Sequence, residues 1–251
     1  MSNFHNSPSG VGGIRAMILA AGLGTRLKPF TDKHPKALAM VNGKTLLQRN
    51  IEYLQQFNIK EVIVNVHHFA DQIIDIIQKN NGWGSNVIIS DETNEVLETG
   101  GGLQKAKWYL DKEENFVLMN VDVLTDLHLD KMIQQHLHQH PLATLAVTNR
   151  NSSRYFLFNQ QHQLCGWRNI KTGEEKMIHQ ENNLIQKAFS GVHVINAQIF
   201  SLIQQQGKFS MVDVYLSLCA NNSIQSFDHS SSKFIDVGKP ESIGEAEKMF
   251  G

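Results

Sequence analysis

An α/β fold with a doubly wound, mostly parallel sheet is predicted by three features of the chain. β-branched runs alternate with stretches of helical period through residues 44–90. A short apolar run at 14–20 stops abruptly at Gly22-Leu23-Gly24. Beyond residue 148 the alternation gives way to short strands and turns, which predicts an antiparallel insertion. At 251 residues and 41% hydrophobic content the chain can bury a sizeable core, as one domain or two intimate lobes.

Bulk composition excludes several classes of partner. A net charge of −1 with neutral histidines gives no whole-chain field for nucleic acid or an anionic membrane, although twelve histidines would make the chain cationic in mild acid. Any anion site must therefore be local. Cys165 and Cys219 have neither metal spacing nor a secreted disulfide framework, so both read as reduced thiols of a cytoplasmic protein. No apolar run nears the roughly 20 residues of a membrane span. Residues 1–13 are polar, rich in Ser, Asn and Gly and without a hydrophobic h-region, so they are expected to form a flexible leader rather than a signal peptide, with a single domain over 14–251.

The first element, residues 14–20, is bounded by glycine and apolar throughout its second half, as expected of a strand buried on both faces. In the turn that follows, Gly22 and Gly24 lack a Cβ, so the backbone can take positive φ and bring its N–H groups close to an anion. Arg26 adds a planar fork of donors and Lys36 a mobile point charge, so two cations flank the place of a polyphosphate. The dinucleotide-binding fingerprint also begins with strand and G-x-G. Here, however, no third glycine follows Gly24, and Pro29 and Pro35 break the helix that should begin there, which disfavours an NAD-binding oxidoreductase. Nor is this a phosphate loop of the G-x-x-x-x-G-K-[ST] kind. The pair Gly43-Lys44 before Thr45 has Leu38 where the first glycine should stand.

Further along, Leu46, Leu47, Ile51, Leu54 and Phe57 recur at helical spacing through 44–57, and 61–66 is a short β-branched run. A second helix fits 70–79 and a third strand 86–90, so the βαβαβ order implies parallel strands with right-handed crossovers. His67 and His68 end the second strand, where neighbouring side chains point oppositely, so the pair is read as structural. In Leu97-Glu98-Thr99-Gly100-Gly101-Gly102-Leu103, three glycines opening a helix over 103–110 leave backbone donors and acceptors bare, which fits close approach by a flat base. Residues 116–120 form a fourth buried strand ending at Asn120. Asp122 just beyond it is placed to hold Mg²⁺, or more plainly to serve a turn or cap, for which Asp126 is the nearer candidate.

Residues 128–140 have helical apolar spacing, and His136, His138 and His140 alternate by two, so they spread around the axis as a solvated face rather than a metal tract. Strands are expected at 143–148, 155–159, 164–168 and 186–195, then helices at 197–205 and 211–220. A last strand at 233–237 leads into a helix capped near Ser242. The chain has no internal repeat and no hexapeptide β-helix tail.

The run Leu19-Ala20-Ala21-Gly22-Leu23-Gly24-Thr25-Arg26 with Pro35-Lys36 resembles the L-A-A-G-x-G-T-R and P-K signature of the sugar-1-phosphate nucleotidyltransferases. Glu98-Thr99-Gly100-Gly101-Gly102 is similar to the base-contacting loop of the short uridylyl- and guanylyltransferases, those of N-acetylmuramate 1-phosphate and mannose 1-phosphate among them. Phe189-Ser190-Gly191 resembles the sugar-side F-x-G turn. The segment from Phe234 to Glu241 matches W-x-D-V-G-T-P-E at Asp236, Val237, Gly238, Pro240 and Glu241.

This resemblance runs from residue 14 to the C-terminus. It implies a Rossmann-like sheet of the nucleotide-diphospho-sugar transferase type, with a nucleotide-binding half at 14–125 and a sugar-phosphate half at 126–251. It further implies nucleotide contacts at Leu19, Ala20, Ala21, Gly22, Gly24, Thr25, Glu98, Thr99, Gly100 and Gly101, and substrate contacts at Asn120 and Gly191. Arg26 and Lys36 would be catalytic, and Asp122 and Asp236 would hold Mg²⁺. One departure is Val121 before Asp122, where the family has glycine. The implied reaction joins an NTP, UTP or GTP foremost, to a sugar 1-phosphate, giving an NDP-sugar and pyrophosphate. A catalytically silent nucleotide-sensing relative is the alternative. Base, sugar and oligomeric state stay open at this point, and neither nucleic acid nor membrane is an expected partner.

Overall fold

The computed structural model describes residues 13–251, so the leader expected at 1–13 lies outside them apart from Gly13. The elements in chain order are β1 (Arg15–Leu19), the short ribbon β2 (Met40–Val41) and β3 (Lys44–Thr45), α1 (Leu46–Gln55), β4 (Glu61–Val66), α2 (Ala70–Lys79), β5 (Asn86–Asp91), α3 (Glu98–Lys105), α4 (Lys107–Leu110), β6 (Asn115–Asn120), β7 (Val123–Thr125) and α5 (Leu129–Gln139). The second half continues with β8 (Ala143–Thr148), β9 (Arg154–Phe158), β10 (Leu164–Asn169), β11 (Glu174–Met177), β12 (Ile185–Asn196), α6 (Ile199–Leu202), α7 (Met211–Leu218), β13 (Ile224–Asp228), β14 (Phe234–Asp236) and α8 (Pro240–Met249). Among the described residues, no helix is long and apolar enough to cross a membrane.

The main sheet runs β11-β10-β9-β12-β6-β1-β4-β5, with β8 on β12 and β13 on β8. Its nucleotide half is parallel: β1 pairs with both β4 and β6, and β4 with β5. The insertion is antiparallel and hangs on β12, which pairs with β9 through residues 185–187, with β8 at 188–189 and 193–195, and with β6 through 192–196. Its register slips between Phe189 and His193, where Gly191 has φ +74°. That left-handed residue lets one strand bend from the insertion into the central sheet.

Helices cover both faces. Leu47, Ile51, Leu54, Ile73 and Ile77 pack on one side of the parallel strands, while Leu103, Leu110, Phe200 and Tyr215 pack on the other. A third cluster, with Leu27, Val41, Leu124, Ile235, Val237 and Ala246, fastens α8 and the β7–β14 ribbon beside the turn after β1.

Several expectations are corrected. The helix expected at 103–110 begins at Glu98, takes in all three glycines, and is interrupted at Ala106. His136 is buried rather than solvated, with Nδ1 on Thr144 Oγ1 and Nε2 on Asn115 Oδ1, both at 2.9 Å. α8 starts at Pro240 in its first turn and has no side-chain cap, so Ser242 lies inside it. Asp126 caps nothing; its carboxylate accepts the Lys233 N–H at 2.7 Å and closes the end of the β7–β14 ribbon. Both cysteines are buried free thiols.

Candidate active site

A cavity of about 520 Å³ opens at the C-terminal ends of β1, β4 and β6, and its floor is the turn from Leu19 to Thr25. The turn begins between two anchors. The Leu19 carbonyl accepts the Val121 N–H at 3.1 Å, and Asn65 Oδ1 accepts the Ala20 and Ala21 N–H groups at 2.7 and 3.3 Å. Thereafter the pattern changes: among the described residues, the N–H groups of Gly22, Leu23, Gly24 and Thr25 have no acceptor. Gly24 sits at φ +61°, and a Cβ there would lie 2.9 Å from the Thr31 methyl and 3.0 Å from Lys36 Cβ. A Cβ on Gly22, by contrast, would meet nothing within 4 Å.

Four charged side chains gather beside this turn. The Lys36 ammonium, at the start of the helical turn Lys36–Leu38, lies on the Asp122 carboxylate. Arg26 Nη2 is 3.9 Å from Asp236 Oδ2. Asp236 stands opposite Val123 in the β14–β7 pairing, and the Val237 N–H donates to the Asp122 carbonyl at 2.8 Å, so the two aspartates meet side by side. Burial and the neighbouring Asp122 carboxylate raise the Asp236 pKa, against the opposing pull of Lys36 and Arg26. Gly238 makes the arrangement possible: a Cβ there would be 2.6 Å from Asp236 Oδ1 and 2.9 Å from Arg26 Nη2.

Asn120 and Gly191 are also neighbours, since a Cβ on Gly191 would lie 2.6 Å from Asn120 Nδ2. Of the two, Asn120 lines the cavity. Val121, the residue that departs from the family glycine, lines it too, and its carbonyl accepts Asn50 Nδ2 at 2.7 Å.

The far wall is formed by Val96, Glu98 and Thr99 together with Lys208 and Ser210. Here the sequence reading needs correction. Gly100 and Gly101 are buried and face away from the cavity: their N–H groups donate to the Phe209 carbonyl at 2.9 and 3.3 Å, and side chains on them would strike Phe209 and the Gly207 carbonyl. Thr99 Oγ1 is taken by the Met211 N–H at 2.9 Å, and the Ser210 hydroxyl is committed to Asp213. The unpaired backbone expected for a base is thus spent on docking the segment 207–211. What this wall offers instead is Glu98, held at φ +59°, and Lys208, whose Nζ is 3.6 Å from Glu98 Oε1. Sequence reasoning missed Asn65, Val96, Lys208 and Ser210. Ser210 with Asp213 three residues on is a capping pair that marks where α7 begins, and it is the one local signal that could have pointed to this segment.

Fold and cavity define an α/β protein with a turn of unpartnered amides at the sheet's C-terminal edge, set beside two carboxylates and two cations. The chain belongs to the nucleotidyl transferase family, whose model matches residues 15–250. It is 31% identical over 232 residues to the D-glycero-alpha-D-manno-heptose 1-phosphate guanylyltransferase of Campylobacter jejuni, covering 91% of this chain and 96% of that protein. To the N-acetylmuramate alpha-1-phosphate uridylyltransferase of Caulobacter vibrioides it is 41% identical over 109 residues, 43% of this chain and 45% of that protein. Against the mannose-1-phosphate guanyltransferase of Yarrowia lipolytica it spans 61% of the relative's length. Its fold matches that of HddC from Yersinia pseudotuberculosis complexed with GMP-PN, with a TM-score of 0.75 at 26% identity over 95% of this chain and all 100% of that one.

Proposed function

We propose that this protein transfers a nucleotidyl group from an NTP to a sugar 1-phosphate, releasing pyrophosphate and an NDP-sugar, with residues 14–125 holding most of the nucleotide and 126–251 most of the sugar phosphate. The observation that carries the reading is the run of unpartnered amides from Gly22 to Thr25, lining the same cavity as Lys36 and Asp122, with Asp236 beside Asp122 and Arg26 beside Asp236. Four backbone donors in sequence make a cup for an anion, and open space over Gly22 leaves room for its close approach.

In this reading the sugar phosphate oxygen is already a nucleophile. It attacks the α-phosphorus in line, the new P–O bond forms, and the bond to the β-phosphate oxygen breaks with its electron pair leaving on pyrophosphate. The cup and Arg26 hold the departing group, Lys36 offsets charge at the α-phosphate, and Asn120 and Gly191 meet the sugar phosphate. Glu98, Thr99 and Lys208 border the base, while Leu19, Ala20 and Ala21 shape the floor. Asp122 and Asp236 suit Mg²⁺: both are oxygen donors, they are adjacent, and the pKa of Asp236 is raised by burial and by the neighbouring Asp122 charge, both of which a cation would offset. Such an ion supplies charge neutralisation of the phosphates. Mg²⁺ usually takes one or two protein carboxylates, with water and substrate phosphates completing its shell, so the two aspartates suffice.

Uridylyl- and guanylyltransferases both stand among the relatives, so UTP and GTP are the first nucleotides to try. N-acetylmuramate, mannose and heptose 1-phosphates are the matching sugars. Buried free thiols accord with a reducing, cytoplasmic setting. The test is a matrix of the four NTPs and dTTP against a panel of sugar 1-phosphates, scored by pyrophosphate release. Turnover with at least one pair is expected; binding without turnover across the panel would point to a silent nucleotide sensor.

A further inference from the structure

Beneath the cavity lies a buried polar pair that the reaction itself does not use. Asn65, the fifth residue of β4, and Glu92, just past β5, are 2% and 1% exposed, and Asn65 Nδ2 donates to Glu92 Oε1 at 2.8 Å. Burial raises the Glu92 pKa, and among the described residues its second oxygen has no hydrogen-bond partner. A buried carboxylate with half its capacity unmet is costly, so a reason for it is needed. Its backbone is held from two sides, by the Val66 carbonyl accepting the Glu92 N–H at 2.8 Å and by His67 Nδ1 at 2.6 Å from its own carbonyl.

The third glycine of the run explains how the pair fits. A Cβ on Gly102 would lie 2.8 Å from Glu92 Oε1 and 2.9 Å from Asn65 Nδ2. The three consecutive glycines thus admit three different neighbours: Phe209, the Gly207 carbonyl, and this pair.

We propose that Asn65, oriented by Glu92, is a positioning residue for the nucleotide turn: it draws the Ala20 and Ala21 amides away from the cavity and so sets the start of the anion cup at Gly22. An amide side chain is ambiguous by half a turn, and Glu92 removes the ambiguity. Because the carboxylate can only accept, Nδ2 must face it, which leaves Oδ1 toward the two N–H groups. Two donors that would otherwise compete for phosphate are thereby withdrawn, and the donors from Gly22 to Thr25 are left in one register. The inference rests on the function proposed above.

The test exchanges the polarity of the pair. Asn65→Asp keeps an acceptor for the Ala20 and Ala21 amides but sets a second buried carboxylate against Glu92, and Glu92→Gln added to it supplies a donor again. Binding of inorganic pyrophosphate with Mg²⁺, by titration calorimetry, and the KM and kcat for UTP and GTP are measured with melting temperature. Loss of the Nδ2–Glu92 hydrogen bond, with a like-charge contact in its place that pushes the new carboxylate out of register with the Ala20 and Ala21 amides, predicts about tenfold weaker binding for N65D, expressed in KM more than kcat. The double variant N65D/E92Q should recover to within about threefold of wild type, since it restores a hydrogen bond between positions 65 and 92 and removes the like-charge contact. Wild-type binding by N65D, or a loss that E92Q does not restore, overturns the proposal. Should N65D not fold, Asn65→Ala carries the same expectation of weakened binding, and unchanged binding by it overturns the proposal equally. A wild-type protein that neither binds these probes nor releases pyrophosphate would instead overturn the function on which this rests.

Discussion

The Val237 N–H donates to the Asp122 carbonyl oxygen at 2.8 Å, and this main-chain bond continues the β14–β7 pairing so that Asp236 meets the Asp122 carboxylate. If the two carboxylates act as a unit, Asp122→Asn and Asp236→Asn should each remove most of the activity. The double variant should be little worse than either alone, because members of one unit are non-additive. Melting temperatures should hold or rise, since a like-charge contact is removed. Steady-state kinetics of the three variants settles it; losses that multiply would separate the two residues.

Lys36 lies on Asp122 and faces the cavity, so its charge counts most where the transferred phosphate gains charge. Lys36→Ala should lower kcat on the order of a hundredfold with a much smaller change in KM. An unaltered kcat with raised KM would reduce Lys36 to a binding residue.

Gly22 and Gly101 should fail in opposite ways. A methyl at Gly22 meets no protein atom within 4 Å, so Gly22→Ala should keep its melting temperature while nucleotide affinity falls. A side chain at Gly101 runs into the Gly207 carbonyl, so Gly101→Val should cost about 1–3 kcal/mol of stability as overpacking. Calorimetric melting and nucleotide titration of both variants make the comparison.

Lys208 and Glu98 form an exposed pair 3.6 Å apart at the cavity mouth. Pairs of this kind contribute about 0–1 kcal/mol to stability, so Lys208→Ala should melt like wild type. Its effect should appear as a several-fold rise in the KM for NTP, measured at fixed sugar 1-phosphate.

Three buried histidines predict an acid limb of stability. Burial lowers the pKa of His136 and His229 to about 4 and that of His193 to about 3, whereas unfolded histidine titrates near 6.5. Below 6.5 the unfolded chain therefore binds more protons than the folded one, and stability falls as pH drops towards 4, by about 1.4 kcal/mol per unit for each histidine. Urea midpoints at pH 7 and pH 5 test this, and equal midpoints would count against neutral burial.

Much of this was legible in the chain because it is written locally. The turn after β1 carries its glycines, arginine and lysine within a short stretch, and the isoleucines of α2 repeat at the helical period, so residues 70–79 were placed at their observed limits. Asp122 stood out just past the end of a buried strand, and Asp236 through the likeness of its segment to the family's closing motif. Other features depend on partners distant in sequence. Nothing near Gly101 reveals that Phe209 will take its amide, and nothing near His136 reveals that Asn115 and Thr144 will enclose it. Asn65 reads as an ordinary polar residue ending a strand until Ala20 and Glu92 are seen on either side of it. The strands β11 and β13 were missed because Glu174–Met177 and Ile224–Asp228 are short and mixed in character, and only pairing makes them strands.

The return of β14 to the edge beside β7 also has a consequence in time. During synthesis the nucleotide turn, both cations and the first aspartate leave the ribosome long before Asp236, and β6 can already pair with β1. A nascent chain can therefore own a nearly whole nucleotide cavity while lacking its second carboxylate, and on the proposed role of Asp236 it would stay inactive until β14 is made.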